Sequence, residues 1–186
     1  MTRRLLTGEL AYFLVADNGR LHTTDSHPPL ILSGSFNPLH EGHLALARAA
    51  ADMLGQPVTF ELSAANADKP PLAAPVILQR LAQFAGRHPI AVSTAPTFVE
   101  KSRLYPGATF VVGYDTAVRI LQPRFYQDNP ALLLEALSEI DKLGCHFLVA
   151  GRVAENGRFQ QAHQLTIPDA YRHLFQPIPD SRFRQD

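Results

Sequence analysis

A chain of 186 residues, 46% hydrophobic and 18% charged, is sized for one buried core and is neither disordered nor fibrous. Seventeen basic residues balance seventeen acidic ones, so nothing favours a general affinity for nucleic acid or anionic lipid, and no apolar run is long enough to span a bilayer. Glu9 interrupts what would be an apolar signal core, and the lone Cys145 cannot form an internal disulfide, so a cytoplasmic protein is expected. Residues 10–15 and 21–24 flank Asp17-Asn18-Gly19, which reads as a hairpin turn in an N-terminal β-ribbon. A strand over 30–32 leads into Gly34-Ser35-Phe36-Asn37-Pro38-Leu39-His40-Glu41-Gly42-His43, and a helix follows to Leu54, with Gly55 suited to its C-cap. The next strand is 58–62, then a loop over 63–71 that carries Asn66, Asp68 and Lys69. A helix over 75–84, a strand over 90–93, a short helix over 97–104 and a strand over 109–112 come next. Gly113-Tyr114-Asp115 stands at the end of that last strand. A helix over 130–143 and a strand over 145–150 complete the pattern; Asn156-Gly157 marks a turn, and the tail after Pro168 reads as a short helix and then irregular chain.

Strands alternating with helices predict an α/β fold, a doubly wound parallel five-stranded sheet with right-handed crossovers. No repeat or second domain is visible; residues 1–29 form the added ribbon and 30–186 the main domain. Ligands of such sheets bind beyond the carboxyl ends of the strands. The decapeptide, the Asn66–Lys69 loop, Gly113–Asp115 and Gly151-Arg152 all fall there, so four sequence-distant polar clusters converge on one edge.

The decapeptide has the chemistry of a phosphate cradle. A strand, a small-residue turn and a helix start leave unpartnered N–H groups pointing at a ligand. Gly34 and Ser35 let the backbone approach closely, and Pro38 fixes the turn. His40 and His43 are three apart and share one helical face, with Gly42 leaving room between them. The spacing His-Glu-Gly-His is not that of a zinc protease, which has two residues between His-Glu and the second histidine. The set suits displacement at the α-phosphate of a nucleoside triphosphate, where positioned reactants and stabilised phosphorus oxygens matter most. For Asp115 the ordinary alternative is a helix N-terminal acceptor; for Arg152 it is a surface pair with Glu155; for Lys69 an exposed loop charge; for Arg119 a solvated helix face. Cys145 reads as a small buried hydrophobe, and the histidines outside the motif read as structural.

The motif resembles the signature of the HxGH nucleotidylyltransferase superfamily, whose fold is Rossmann-like of the HUP type, and its Gly-Ser-Phe-Asn-Pro form looks most like the nicotinamide or nicotinate mononucleotide adenylyltransferases. Gly113-Tyr114-Asp115-Thr116, led in by residues 104–110, resembles the Gly-x-Asp segment of the same family. The resemblance implies transfer of AMP from ATP to a small phosphorylated acceptor, with Mg2+ accompanying ATP and pyrophosphate released. It implies that His40 and His43 contact the triphosphate as catalytic residues. It implies nucleotide binding by Gly34, Ser35, Phe36, Asn37, Gly42, Gly113 and Asp115. Lys69 and Arg152 are candidate phosphate or acceptor contacts on slighter grounds. No nucleic-acid or membrane partner is expected, and a homo-oligomer stays open. Related cytidylyltransferases usually carry Asp at the position of Asn37, so an adenylyl- or cytidylyltransferase with another acceptor is the second reading. The family's later signature, Ser-Ser/Thr-x-x-Arg/Lys, has its lead-in at Phe183-Arg184-Gln185-Asp186. Without it, weaker triphosphate binding is expected, which makes nucleotide binding without turnover the third reading.

Overall fold

The structure is a computed structural model that describes residues 1–23, 27–65, 70–153 and 159–184. Its elements, in chain order, are α1 (Thr2–Leu6), β1 (Tyr12–Val15), β2 (Leu21–His22), β3 (Leu30–Gly34), α2 (Glu41–Leu54), β4 (Thr59–Ser63), α3 (Ala74–Leu81) and β5 (Ile90–Ser93). They continue with α4 (Phe98–Leu104), β6 (Thr109–Gly113), α5 (Tyr114–Ile120), α6 (Pro130–Lys142), β7 (His146–Ala150), β8 (Arg152–Val153), β9 (Phe159–Gln160) and β10 (Phe175–Ile178), with short 3-10 turns at Pro123–Tyr126, Ala162–Gln164 and Asp169–Leu174.

Eight strands form one sheet in the order β10-β7-β6-β3-β4-β5-β1-β2. The six from β10 to β5 run parallel. The chain winds from β3 outward through β4 to β5, then crosses back to β6 and winds the other way, so the strand order reverses between β3 and β6. The expected α/β, doubly wound architecture is therefore present, with all five expected parallel strands. A sixth comes from Phe175–Ile178, in the tail expected to be helical and then irregular; the helical part is the turn Asp169–Leu174. The ribbon is part of the sheet: β1 pairs antiparallel with β5, from Tyr12 opposite Ser93 to Val15 opposite Ile90, and β2 pairs with β1. Its turn closes with Gly19 at φ 80 and Gly19 N–H donating to the Ala16 carbonyl at 2.9 Å, a left-handed backbone that suits glycine. The expected Asn156-Gly157 turn lies outside the described residues.

The central parallel strands β3, β5, β6 and β7 are buried on both faces, which is why they read as largely apolar runs rather than alternating ones. Leu30 and Leu32 point to one core with Phe60, Leu62, Ile77 and Phe84, while Ile31 points to the other with Phe110, Val112, Leu137 and Phe147. Leu5 of α1 and Phe13 of β1 join the first core. Helix α2 is rich in Ala and Leu, good helix formers, and ends at Gly55 in the left-handed conformation at φ 67. Asn129 accepts the Ala131 N–H at 2.9 Å and Pro130 takes the first helical position of α6. Thr97 and Glu100 form a reciprocal capping box on α4. The strand expected to begin at Cys145 begins one residue later; Cys145 itself is fully buried, with its Sγ 3.4 Å from the Tyr105 carbonyl. No helix among the described residues is long and apolar enough to cross a membrane.

Candidate active site

The motif loop leaves β3 beside the strand-order reversal and is held from beneath. Phe36 is fully buried at φ 46, a left-handed conformation uncommon outside glycine, and the ring contacts around it hold it there. Its ring lies 5.5 Å from Phe60, 5.1 Å from Phe84 and 5.1 Å from His43. Phe36 thus serves the core from within the loop. A Cβ on Gly34 would stand 2.8 Å from the Phe36 ring, so the turn accepts glycine alone without repacking. The Asn37–Pro38 peptide bond is cis. Two residues of and after α3, silent in the sequence, clamp this loop. Gln83 accepts the Leu39 N–H at 2.7 Å and donates to the Phe36 carbonyl at 2.9 Å, and Arg80 donates to the Ser35 carbonyl at 3.0 Å. They satisfy backbone groups of an irregular loop, which otherwise lack partners.

His40 is the N-cap residue of α2 and His43 lies on its first turn. Their rings stack with centroids 3.7 Å apart at 30°. The His40 backbone N–H points at His43 Nδ1, 3.4 Å away. Burial, and secondarily the neighbouring His40, push the His43 pKa down from 6.5 to about 4. At neutral pH the His43 ring is uncharged. With Nδ1 turned to a backbone donor, the hydrogen-bond pattern assigns its ring hydrogen to Nε2, which makes Nε2–H a donor. The space expected beside Gly42 is narrow, since a Cβ there would sit 3.1 Å from the His40 ring.

Two clefts open beyond the carboxyl ends of the strands. One, of about 290 Å³, takes Ser33, Gly34 and Ser35 on one side, Pro96 to Phe98 and Lys101 on another, and Thr116, Arg119 and Tyr126 on a third. The second, of about 340 Å³, is lined by Gly113 to Thr116 and Ala150 to Val153. They share Thr116. The stacked imidazoles stand at the α2 entry, outside both linings. The structure thus brings Gly34 and Ser35 to the first cleft, and Gly113, Asp115 and Arg152 to the second. Asp115 does not cap α5; it forms an ion pair with Arg152, and both are partly exposed. Gly151, between β7 and β8, has no room for a Cβ, which would meet the Gln160 carbonyl at 2.6 Å. Arg119 packs its guanidinium 5.3 Å from the Phe125 ring centroid at the first cleft. Asn66, Asp68, Lys69 and Glu155 lie outside the described residues.

The floor of the first cleft holds a buried charge pair that local sequence does not announce. Lys101, 4% exposed, donates from Nζ to Glu61 Oε2 at 2.5 Å, and Ser93 Oγ donates to Glu61 Oε1 at 2.6 Å. The sequence signal was a glutamate inside an apolar strand, Thr-Phe-Glu-Leu. Ser33 Oγ is buried at the same cleft without a hydrogen-bond partner among the described residues. Among the described residues no cluster of three or more His, Cys, Asp or Glu exists that would hold a resident metal ion.

A doubly wound α/β sheet with polar loops at its switch point, a small-residue turn and a helix-entry imidazole pair places the chain in the Rossmann-like class of folds. Within that class, residues 31–152 match the model of the cytidylyltransferase-like family, and the chain belongs to that family. It is also similar to the putative nicotinamide mononucleotide adenylyltransferase of Schizosaccharomyces pombe, at 29% identity over 123 residues, 59% of this chain and 48% of that protein. With the probable nicotinate-nucleotide adenylyltransferase of Gloeobacter violaceus it shares 37% identity over 166 residues, 81% of this chain and 75% of that protein. The chain thus spans about half the length of the first relative and three quarters of the second.

Proposed function

We propose that this chain transfers AMP from ATP to the phosphate of a pyridine mononucleotide, nicotinate or nicotinamide mononucleotide, and releases pyrophosphate. The observation that carries the reading is the neutral His43, stacked on His40 at the start of α2 beside a glycine-bearing cradle. The names of the two relatives support a mononucleotide acceptor. An oxygen of the acceptor phosphate attacks the α-phosphorus of ATP in line. A new P–O bond forms, the bond from the α-phosphorus to the bridging oxygen breaks, and pyrophosphate leaves with that electron pair.

His43 Nε2–H and the first N–H groups of α2 donate to phosphate oxygens as their charge grows, and His40 lies beside them for the same oxygens. A ring already uncharged in the free protein donates without first exchanging a proton with solvent. Gly34, Ser35 and Asn37 form the loop against the nucleotide, with Phe36 as its buried anchor, and Gly42 lets the helix start approach it. The second cleft, with Gly113, Asp115 and Arg152, takes part of the nucleotide, and the first cleft takes the acceptor; Thr116 stands where the two meet. Lys69 is a further phosphate contact in this scheme. Magnesium would enter with ATP as the MgATP substrate and would neutralise phosphate charge there. The buried unpaired thiol of Cys145 fits work in the cytoplasm.

The test is pyrophosphate release from MgATP with each mononucleotide, in the parent and in His43→Ala. Loss of one preorganised donor to the developing charge lowers kcat about 100- to 1000-fold. The melting temperature changes by only a few degrees, because His43 is half-buried at the surface. Equal kcat in parent and variant would remove His43 from the reaction, and a parent inert with both acceptors would remove the reaction itself.

A further inference from the structure

The cleft assigned to the acceptor is lined on one side by Lys101. Glu61 stands behind Lys101, fully buried, and both its oxygens are engaged, one by Lys101 Nζ and the other by Ser93 Oγ. The cleft therefore meets the ammonium and not the carboxylate. An ammonium has three N–H donors. One goes to Glu61, and the described residues supply no hydrogen-bond acceptor for the other two. A nearly buried cation with two idle donors favours an anionic oxygen strongly and an added positive charge not at all.

We infer that Lys101 is a specificity-determining residue that selects an acceptor ring bearing a carboxylate, nicotinate mononucleotide over nicotinamide mononucleotide; the inference rests on the pyridine-mononucleotide reading above. The two acceptors share the ribose phosphate and the positively charged pyridinium nitrogen. In the acid form a ring carboxylate balances that charge and accepts from Lys101. In the amide form the ring keeps its net positive charge and brings it against Lys101 inside a cleft of about 290 Å³. Attraction for one form and repulsion of the other act in the same direction. Phe98, whose ring centroid is 5.9 Å from Lys101 Nζ, lines the same cleft and supplies an apolar surface beside the ammonium.

The experiment compares the full parent chain with the double variant Glu61→Gln/Lys101→Met, since removing Lys101 alone would leave the Glu61 carboxylate buried and unpaired. Calorimetry gives the Kd of each mononucleotide, and pyrophosphate release with MgATP gives kcat and KM for each. The parent prefers the acid form by about tenfold or more in Kd and in kcat/KM, the scale of a charge-assisted hydrogen bond. In the double variant the acid-to-amide ratio falls to near unity, through KM rather than kcat. A parent that binds both forms equally, prefers the amide or binds neither overturns the inference. So does a double variant that keeps the parent's ratio, including one that merely melts earlier, because a structural role lowers stability without moving that ratio. Acid-selective binding that disappears in the double variant, with no pyrophosphate from either acceptor, upholds Lys101 and refutes adenylyl transfer. Equal turnover of both acceptors does the reverse.

Discussion

Replacing Glu61 by Gln changes one atom type at the bottom of the first cleft and leaves the shape almost intact. Its consequence is electrostatic. Lys101 is then a buried ammonium whose partner, formerly 2.5 Å away, is neutral. The Coulomb attraction across that distance is about 7 kcal/mol at an effective dielectric near 20. Desolvation of both ions offsets most of it in the parent, but the variant keeps the desolvation of Lys101 and loses the attraction. The amide offers one acceptor oxygen where the carboxylate offered two, so its NH2 must face either Lys101 or Ser93, which in the parent have an oxygen each. Breaking a buried pair from one side costs about 3–5 kcal/mol. For a domain of this size that is a fall of about 6–20 °C in Tm. The assay is urea unfolding followed by circular dichroism, with a thermal scan beside it. Glu61→Gln/Lys101→Met removes both charges and leaves no buried unpaired ion, so we expect it to be more stable than Glu61→Gln alone. A Glu61→Gln protein that loses under about 1 kcal/mol, or a double variant no more stable than the single, refutes the claim that this pair is desolvated and mutually dependent.

Two further outcomes concern the motif. His43 has a folded pKa of about 4, below its ordinary 6.5, so the unfolded chain takes up the proton first and stability contributed by the neutral ring is lost as pH falls from about 6.5 to about 4. The full linkage would be about 3 kcal/mol, and solvent screening at a half-exposed ring reduces it to roughly half. Urea midpoints of the parent against His43→Asn across that window check this, as does a histidine-selective NMR titration; eight imidazoles all titrating between pH 6 and 7 would contradict it. Gly34→Ala forces a Cβ to 2.8 Å from the Phe36 ring, which Phe60 and Phe84 hold in place. Overpacking of this kind costs about 1–3 kcal/mol and is expected to raise the KM for MgATP as the cradle shifts; unchanged stability and KM would show that Phe36 yields freely.

The parallel strands and most helices were legible because each obeys a local rule. Leu30 to Leu32 and Phe110 to Val112 are apolar runs of strand length, Gly55 ends a helix, and Thr97 with Glu100 begins one. β10 was not legible. Four residues with a proline at Pro177 and a polar Gln176 read as irregular chain, and only pairing with β7 makes them a strand. The motif histidines were visible in sequence, but their stacking and the neutral state of His43 depend on Phe36 and on burial that the fold supplies. Lys101 lay in plain sight within a correctly expected helix and drew no reading from the sequence. Its partner is on a strand forty residues earlier, and a contact of that separation leaves no periodic trace. Arg80 and Gln83 went unnoticed for the same reason, since they act on the loop of residues 35–39 through its backbone, whose demands no local pattern records.

The two ends of the sheet bear on how copies of this molecule meet. A bare strand at the rim is a template for another chain, and a long parallel sheet would offer two. Here the β5 side is closed by the antiparallel β1 and finished by a β2 of two residues, too brief to recruit a partner strand. The opposite rim is β10, where Pro177 withholds one of four backbone donors. Fibrillar stacking by rim-to-rim addition is thereby discouraged at both margins.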